Sequence, residues 1–300
     1  MTGCDRESSK PNALTTPTPE TRKSDAGAQV ERLLNAGSVA EANKLVDTLA
    51  DGEPESNWEF WRMAARTKLL SGNPQLALTY AERTLAVQPR DSETKVVLGT
   101  ALARTGQAAK GEKILSEMAS RFSREISFQC QLAEARMLAG KLPEADRAAR
   151  DAVRLCPDDV NQAPLIGRAY TTLGMVLNAQ QRYPEAIAVL RQSIEFYPNS
   201  AVTYSALSVA LARTGNADEA RTAAEKAVAL SPDNAMASAN LGALLVEQKQ
   251  WPKAVAALEK AVQLDPKLRT AWLNLAIAAK QTGNAARAQA AEQTAKSLPP

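Results

Sequence analysis

The sequence contains no histidine, the side chain that most often serves as a general base or metal ligand near neutral pH. Its three cysteines, Cys4, Cys130 and Cys156, are too few and too scattered for a disulfide framework or a paired-cysteine metal cluster. No converging acid, base and nucleophile is evident in the rest of the chain. We therefore expect a protein that is not an enzyme and that uses neither a metal nor a cofactor.

Aromatic residues and long apolar runs are also scarce. Aromatic residues make up 4% of the chain and hydrophobic residues 45%, so the apolar surface is mainly Ala, Leu and Val, which is typical of closely packed helices. No stretch approaches the roughly 20 apolar residues that a membrane-spanning helix needs. The formal charge of +3 is spread along the chain rather than gathered into a basic stripe, so we expect no nucleic acid partner.

The chain repeats itself every 34 residues. Within each unit, apolar residues recur at three- and four-residue intervals on either side of a central glycine, a pattern that predicts two amphipathic helices. The glycine suits the left-handed backbone that ends a helix, and a late proline prevents the second helix from continuing. The units start at Trp58, Ser92, Ile126, Gly167, Ala201, Ala235 and Arg269, and only Gln181 and Lys249 replace the central glycine.

Two small residues in every unit indicate where helices approach closely. The eighth place holds Ala65, Gly99, Ala133, Gly174, Ser208, Gly242 and Ala276, and the twentieth holds Ala77, Gly111, Ala145, Ala186, Ala220, Ala254 and Ala288. One hairpin alone cannot bury both of its apolar faces, so each unit must stack on its neighbours.

The repeat also predicts the domain organisation. Residues 1–22 are rich in Pro, Ser and Thr, and we expect them to form a disordered leader or tether. A degenerate helical hairpin at 23–57 precedes three repeats at 58–159 and four at 167–300, and the last repeat caps itself with a polar final helix. A seven-residue insertion at 160–166 lengthens either the following helix or the loop before it.

The unit at 201–234 resembles a tetratricopeptide repeat place by place. The matching residues are Tyr204, Leu207, Ser208, Leu211, Gly215, Ala220, Ala224, Ala227 and Pro232. The resemblance covers about residues 23–300 and implies an all-α fold, a right-handed superhelical solenoid of antiparallel helix pairs. It also implies a concave groove, lined by the first helix of each pair, that takes extended or helical peptides.

Transferring the family's groove places onto this chain gives a surface that changes from charged to apolar. The resemblance implies as site residues Glu59, Arg62, Arg66, Glu93, Thr100, Glu134, Arg168, Thr171, Met175, Asn178, Ser205, Arg213 and Met236, with Val202, Val209, Leu273 and Ile277 beside them. The Lys and Asn with which some members clamp a peptide carboxylate are replaced here, so that clamp is not expected. Arg62 and Arg66 lie one helical turn apart and form either a grip for an acidic segment or a solvated face paired with Glu59.

The expected function is a non-catalytic scaffold that binds a protein or peptide ligand in the groove. The alternative is a structural, self-associating subunit of an envelope secretion, pilus or polysaccharide-export assembly, and the sequence leaves the oligomeric state open. Thr2, Gly3 and Cys4 resemble the end of a bacterial lipoprotein signal, although the apolar stretch that should precede it is missing. With a lipid on Cys4 we expect a membrane-anchored periplasmic protein of the bacterial cell envelope, and without it a cytoplasmic one.

Overall fold

The computed structural model describes residues 25–298, which form 16 α-helices, one 3-10 turn and no β-strand. The chain divides between Thr105 and Gly106, so that unit 1 comprises the described residues up to Thr105 and unit 2 those from Gly106. This boundary separates the two helices of the repeat that begins at Ser92, which the 34-residue pattern does not predict. The expected leader at 1–22 lies outside the described residues.

Unit 1 contains five helices. Their bounds are α1 Asp25–Asn35, α2 Val39–Leu49, α3 Trp58–Leu70, α4 Pro74–Val87 and α5 Ser92–Arg104. Each helix contacts the next one along the chain, and α3 also contacts both α1 and α5. The first helices of successive pairs therefore lie side by side in a row.

Unit 2 contains eleven helices in the same alternation. Their bounds are α6 Ala108–Phe122, α7 Ile126–Leu138, α8 Leu142–Arg154, α9 Ala163–Ala179, α10 Tyr183–Phe196, α11 Ala201–Arg213, α12 Ala217–Leu230, α13 Ala235–Glu247, α14 Trp251–Leu264, α15 Arg269–Gln281 and α16 Ala285–Ser297. The first helices α7, α9, α11, α13 and α15 contact one another in that order. Helix α9 has 17 residues where α11 has 13, because it begins within the insertion, after the 3-10 turn Val160–Gln162 and with Pro164 in its first turn.

Capping side chains fix where several first helices begin. Asn57, Asp91, Ser200 and Asn234 each precede a first helix and accept a hydrogen bond from the backbone N–H three residues later. Such caps satisfy an N–H group that has no partner within the helix. The residue that precedes each of these helices therefore favours a helix start at that position.

Left-handed residues end the first helices. Gly72 and Gly215 have φ angles of 80° and 82°, and a Cβ at either position would meet nothing within 4 Å, so backbone conformation alone favours glycine there. Gln181 and Lys249 adopt the same conformation, with φ angles of 62° and 57°. Because a Cβ is unfavourable in this region, these two turns carry strain that the glycine turns avoid.

The small residues of the eighth and twentieth places are buried in both units. A Cβ on Gly174 would lie 2.5 Å from Cγ of Leu190, and one on Gly242 would lie 2.4 Å from Cγ of Leu258. Each leucine thus fills the space that its glycine leaves open. This complementarity allows the two helices of a pair to pack closely, and the observed all-α helical repeats confirm the predicted fold class.

Candidate functional site

The predicted groove residues of unit 1 form a charged surface on α3 and α5. Glu59, Arg66 and Glu93 are exposed, and Arg62 is half-buried. The Nη1 atom of Arg62 lies 3.7 Å from Oε2 of Glu93 on the next first helix, and its guanidinium lies 5.3 Å from the ring centroid of Trp58. Arg62 therefore pairs with Glu93 of the neighbouring helix rather than with Glu59 of its own.

Two predicted groove residues lie in the interior instead. Thr100 in unit 1 is 1% exposed, and its hydroxyl donates to the backbone carbonyl one turn earlier, at 2.9 Å. Thr171 in unit 2 is 6% exposed, and its hydroxyl oxygen lies 2.8 Å from Oγ of Ser193 and 2.7 Å from Oγ1 of Thr203. These short side chains bind within the helix packing and are not available to a ligand, which corrects the groove prediction at both positions.

The other predicted residues of unit 2 follow the row of first helices. Five of them are half-buried, namely Glu134, Arg168, Met175, Asn178 and Ser205. Two are exposed, namely Arg213 and Met236. Nδ2 of Asn178 donates to the carbonyl of Ala206 at 2.8 Å, and Nδ2 of Asn240 donates to Oγ of Ser205 at 2.9 Å. These bonds join α9 and α13 to α11, so side-chain amides as well as apolar contacts hold the row together.

An apolar stripe crosses the exposed faces of α11, α13 and α15. It consists of Val202, Val209, Met236, Leu273 and Ile277, which are between 36% and 54% exposed. They are five of the nine large apolar side chains that are exposed among the described residues of unit 2. Their spacing of four or seven residues within a helix places them on one face, and the three helices are neighbours. A concentration of this kind is more informative than exposed apolar residues that are scattered singly over a surface.

A pocket of about 210 Å³ opens between α11 and α13, beside the apolar stripe. It is lined by Ser208, Val209, Ala212, Arg213, Asn240, Ala243, Leu244 and Glu247. Ser208 and Leu244 are buried at its floor, whereas Arg213 and Glu247 are exposed at its rim. The pocket therefore combines an apolar wall with one basic and one acidic group.

Sequence reasoning missed four of these lining residues, of which Asn240 and Glu247 are polar and Ala212 and Leu244 are apolar. Asn240 lies four residues after Met236, and Glu247 lies seven residues after Asn240, so both polar residues continue the face of α13 that Met236 had already marked. The spacing of four and seven residues is the signal that could have found them.

The described residues include one buried thiol, that of Cys130. Burial raises the pKa of the Cys130 thiol, so this residue stays protonated and unreactive near neutral pH. Among the residues from 25 to 298, no group of His, Cys, Asp and Glu side chains is arranged to hold a metal ion. Within the same range, none of the helices combines the length and the apolar character needed to cross a membrane.

Comparison with protein families identifies the repeat. One tetratricopeptide repeat model matches residues 62–123, 206–269 and 247–300, and a second matches residues 124–199. The chain belongs to the tetratricopeptide repeat family. This confirms the resemblance carried by the unit at 201–234. No curated protein matches the chain significantly.

Solved structures share the fold of this tetratricopeptide repeat protein at low sequence identity. The crystal structure of the APC/C hetero-tetramer Cut9-Hcn1 superposes with a TM-score of 0.68 and 15% identity, covering 94% of this chain and 55% of that chain. The crystal structure of yeast Tom70 superposes with a TM-score of 0.58 and 15% identity, covering 99% of this chain and 63% of that one. The chain thus spans between about half and two thirds of the length of these structures, and the likeness shows the fold alone.

Proposed function

We propose that this protein is a non-catalytic interaction scaffold that binds an extended or helical segment of a partner protein along the first helices of unit 2. The observation that carries the proposal is the apolar stripe on α11, α13 and α15. Five large apolar side chains are exposed on three adjacent helices. Covering them with a partner removes apolar area from water, which favours binding.

Contacts within the row of first helices in unit 2 support a binding surface that is formed before a partner binds. Asn178 and Asn240 tie neighbouring first helices to each other, and the buried glycines Gly174 and Gly242 hold each first helix close to its second helix. A surface held in this way loses little conformational freedom on binding, which favours affinity. The solved Cut9-Hcn1 structure, whose fold is similar, is a hetero-tetramer, so a fold of this kind assembles with another protein in that case.

Site-specific photo-crosslinking in the native host tests the proposal. A photoreactive residue at Met236 or Ile277, both in the stripe, should give discrete adducts with a partner protein. The same residue at Lys226, which is exposed on the second helix α12, should give none and serves as the control. Equal adducts from Lys226 would contradict the proposal, and adducts of two copies of the chain would favour the self-associating subunit instead.

We also propose a lipid anchor on Cys4, a residue that lies outside the described range. The proposal rests on the likeness of residues Thr2 to Cys4 to the end of a bacterial lipoprotein signal. Mass spectrometry of the N-terminal peptide from cells should show a lipidated cysteine. Cell fractionation should place the protein in the envelope fraction. An N-terminal peptide that keeps Met1 and carries an unmodified Cys4 would count against a lipid anchor.

A further inference from the structure

The pocket between α11 and α13 differs from the rest of the apolar stripe because it is edged by two opposite charges. Arg213 ends α11 and Glu247 ends α13, and both occupy the thirteenth place of their repeats. The same place holds Ala179 before them and Gln281 after them, so neither neighbouring pair of first helices presents an acid and a base together. Among the pairs of neighbouring first helices described in unit 2, α11 and α13 therefore form the one pair that places a base and an acid together at this position.

The two rim charges have no neutralising partner among residues 25–298. Both side chains are exposed, and within the part of the chain that the structure describes neither has an ion pair or a hydrogen bond. The exposed Arg191 of α10, in contrast, pairs with Glu219 of α12 at 2.8 Å. Two unpaired, opposite charges on either side of one pocket are complementary to a ligand that carries the reverse arrangement.

The size and lining of the pocket define what can lie between these charges. Val209, Ala212, Ala243 and Leu244 provide its apolar surface, and its volume is about 210 Å³. An engineered apolar cavity of about 150 Å³ is enough to bind benzene, so this pocket has room for the side chain of a leucine, methionine or phenylalanine. It would hold one such side chain as an anchor, in the way that apolar hot spots do in protein interfaces.

We infer that this pocket is the anchor subsite of the proposed partner segment, and that it takes a large apolar residue flanked by an acidic residue at Arg213 and a basic residue at Glu247. The inference rests on the proposed function and adds to it a sequence class for the ligand. Because α11 and α13 lie side by side, a segment that crosses the pocket presents an acid on the side of Arg213 and a base on the side of Glu247, with the apolar residue between them. The acid can accept charge-assisted hydrogen bonds from the guanidinium of Arg213.

Selection from a phage-displayed library of random linear peptides tests the inference with the full chain as bait. Recovered peptides, synthesised with acetylated and amidated ends, should share one pattern, in which an apolar residue lies between a base on one side and an acid on the other. Their affinity, measured by titration calorimetry, should fall about tenfold or more with Arg213→Glu, because an attractive charge contact becomes repulsive. Ala243→Phe, which fills the pocket at a half-buried position, should have a similar effect.

Two controls separate the pocket from the stripe. Lys226→Glu makes the same charge reversal on α12 and should leave affinity unchanged, and circular dichroism checks that each variant is folded. The double variant Arg213→Glu with Glu247→Arg should select peptides with the opposite order of charges. Peptides that respond to Ile277→Asp but not to Arg213→Glu or Ala243→Phe would overturn the anchor inference and leave the proposed function standing. If no recovered peptide responds to any of these groove variants, the proposed function itself is overturned.

Discussion

Unit 1 and unit 2 build the same helix pairs with different chemistry. In unit 1 the core is aromatic: Trp61 is fully buried, with its ring centroid 5.0 Å from that of Phe60 and 5.1 Å from that of Tyr80. In unit 2, leucines fill the space that buried glycines leave open between the helices of a pair, as Leu258 does at Gly242. A single repeat pattern therefore tolerates either a large ring between helices or a close approach of their backbones.

The two units also differ in the charge that each one buries. Unit 1 buries a cation, because Lys68 is 2% exposed and its ammonium donates to Oδ1 of Asn43 at 2.8 Å and to the carboxylate of Asp47. Unit 2 buries an anion, because Glu112 is 7% exposed and accepts hydrogen bonds from Lys141 at 2.7 Å and Ser116 at 2.8 Å. Among the described residues, each of these buried charges is met by several polar groups, which offset the cost of removing it from water.

The largest expected effect is on the aromatic core of unit 1. Trp61→Ala should lower the free energy of unfolding by about 3 to 5 kcal/mol, because it removes a fully buried indole and leaves a cavity. It also removes the hydrogen bond from Nε1 to the carbonyl of Pro54, at 3.0 Å. Hydrogen exchange of the unit 1 amides, followed by mass spectrometry, measures the loss. Trp58→Ala, at a half-buried position on the same helix, should cost clearly less, and equal costs would contradict the distinction.

The close approach in unit 2 can be broken by one methyl group. Gly242→Ala gives unit 2 the residue that unit 1 already has at Ala65, and it should destabilise by roughly 1 to 3 kcal/mol because the new Cβ would lie 2.4 Å from Cγ of Leu258. Urea denaturation measures the effect. In the double variant with Leu258→Ala, the overlap is relieved, so the cost of the glycine substitution should largely disappear. A cost that is the same in both backgrounds would show that the contact is not responsible.

The buried anion of unit 2 should make its stability depend on pH. Burial acts to raise the pKa of Glu112, but the hydrogen bonds from Lys141 and Ser116 and the positive charges of Lys141 and Arg136 outweigh it and hold the pKa below its ordinary value. The ionised Glu112 therefore stabilises the folded state fully above the ordinary glutamate pKa of about 4.3. This contribution is lost as the pH falls through the lowered pKa of Glu112. Glu112→Gln should cost about 1.5 kcal/mol near neutral pH, since hydrogen bonds to a charged group are lost.

The same pair of proteins, wild type and Glu112→Gln, should converge in stability at acid pH. Urea midpoints measured across the range from neutral to strongly acid conditions check this. The exposed carboxylate Glu219 provides a matched control, because Glu219→Gln replaces a carboxylate that is 60% exposed and should give a small difference. A gap for Glu112→Gln that persists below the lowered pKa would contradict the assignment.

The smallest expected effect is a gain at the strained turns of unit 2. Gln181→Gly gives this turn the residue that unit 1 has at Gly72, and it should stabilise by about 1 kcal/mol because glycine adopts the observed φ of 62° without strain. Thermal denaturation measures the gain. Gly215→Ala, the reverse change at a turn with φ of 82°, should destabilise by a comparable amount. A loss on Gln181→Gly would mean that the glutamine side chain stabilises the turn.

Several helix starts could be predicted from the sequence to the residue. The predicted unit starts Trp58, Ser92, Ile126, Ala201, Ala235 and Arg269 are the observed first residues of α3, α5, α7, α11, α13 and α15. Cap residues and prolines act within a few residues of a helix end, so the local sequence is enough to predict where these helices begin. The exception is α9, which begins at Ala163 rather than Gly167 because the insertion supplies Pro164 at a position where proline favours a helix start.

The candidate site could be predicted only in part. The change from a charged to an apolar surface along the first helices follows from residue types at fixed places, and the exposure of Met236 and Ile277 agrees with it. The partners of individual side chains do not follow in the same way. Arg62 contacts Glu93, 31 residues away, instead of Glu59 on its own helix, because the neighbouring first helix lies within reach of its long side chain.

The sequence by itself determined the helices, their order and the small residues at which they meet, since all of these depend on neighbours within one or two helical turns. The tertiary structure alone decided the boundary at Thr105, the burial of Thr100 and Thr171, and the meeting of Arg213 and Glu247 at one pocket. The physical reason is that the periodicity of a sequence indicates which face of a helix is apolar. The angle at which two such faces pack depends on all the side chains between them.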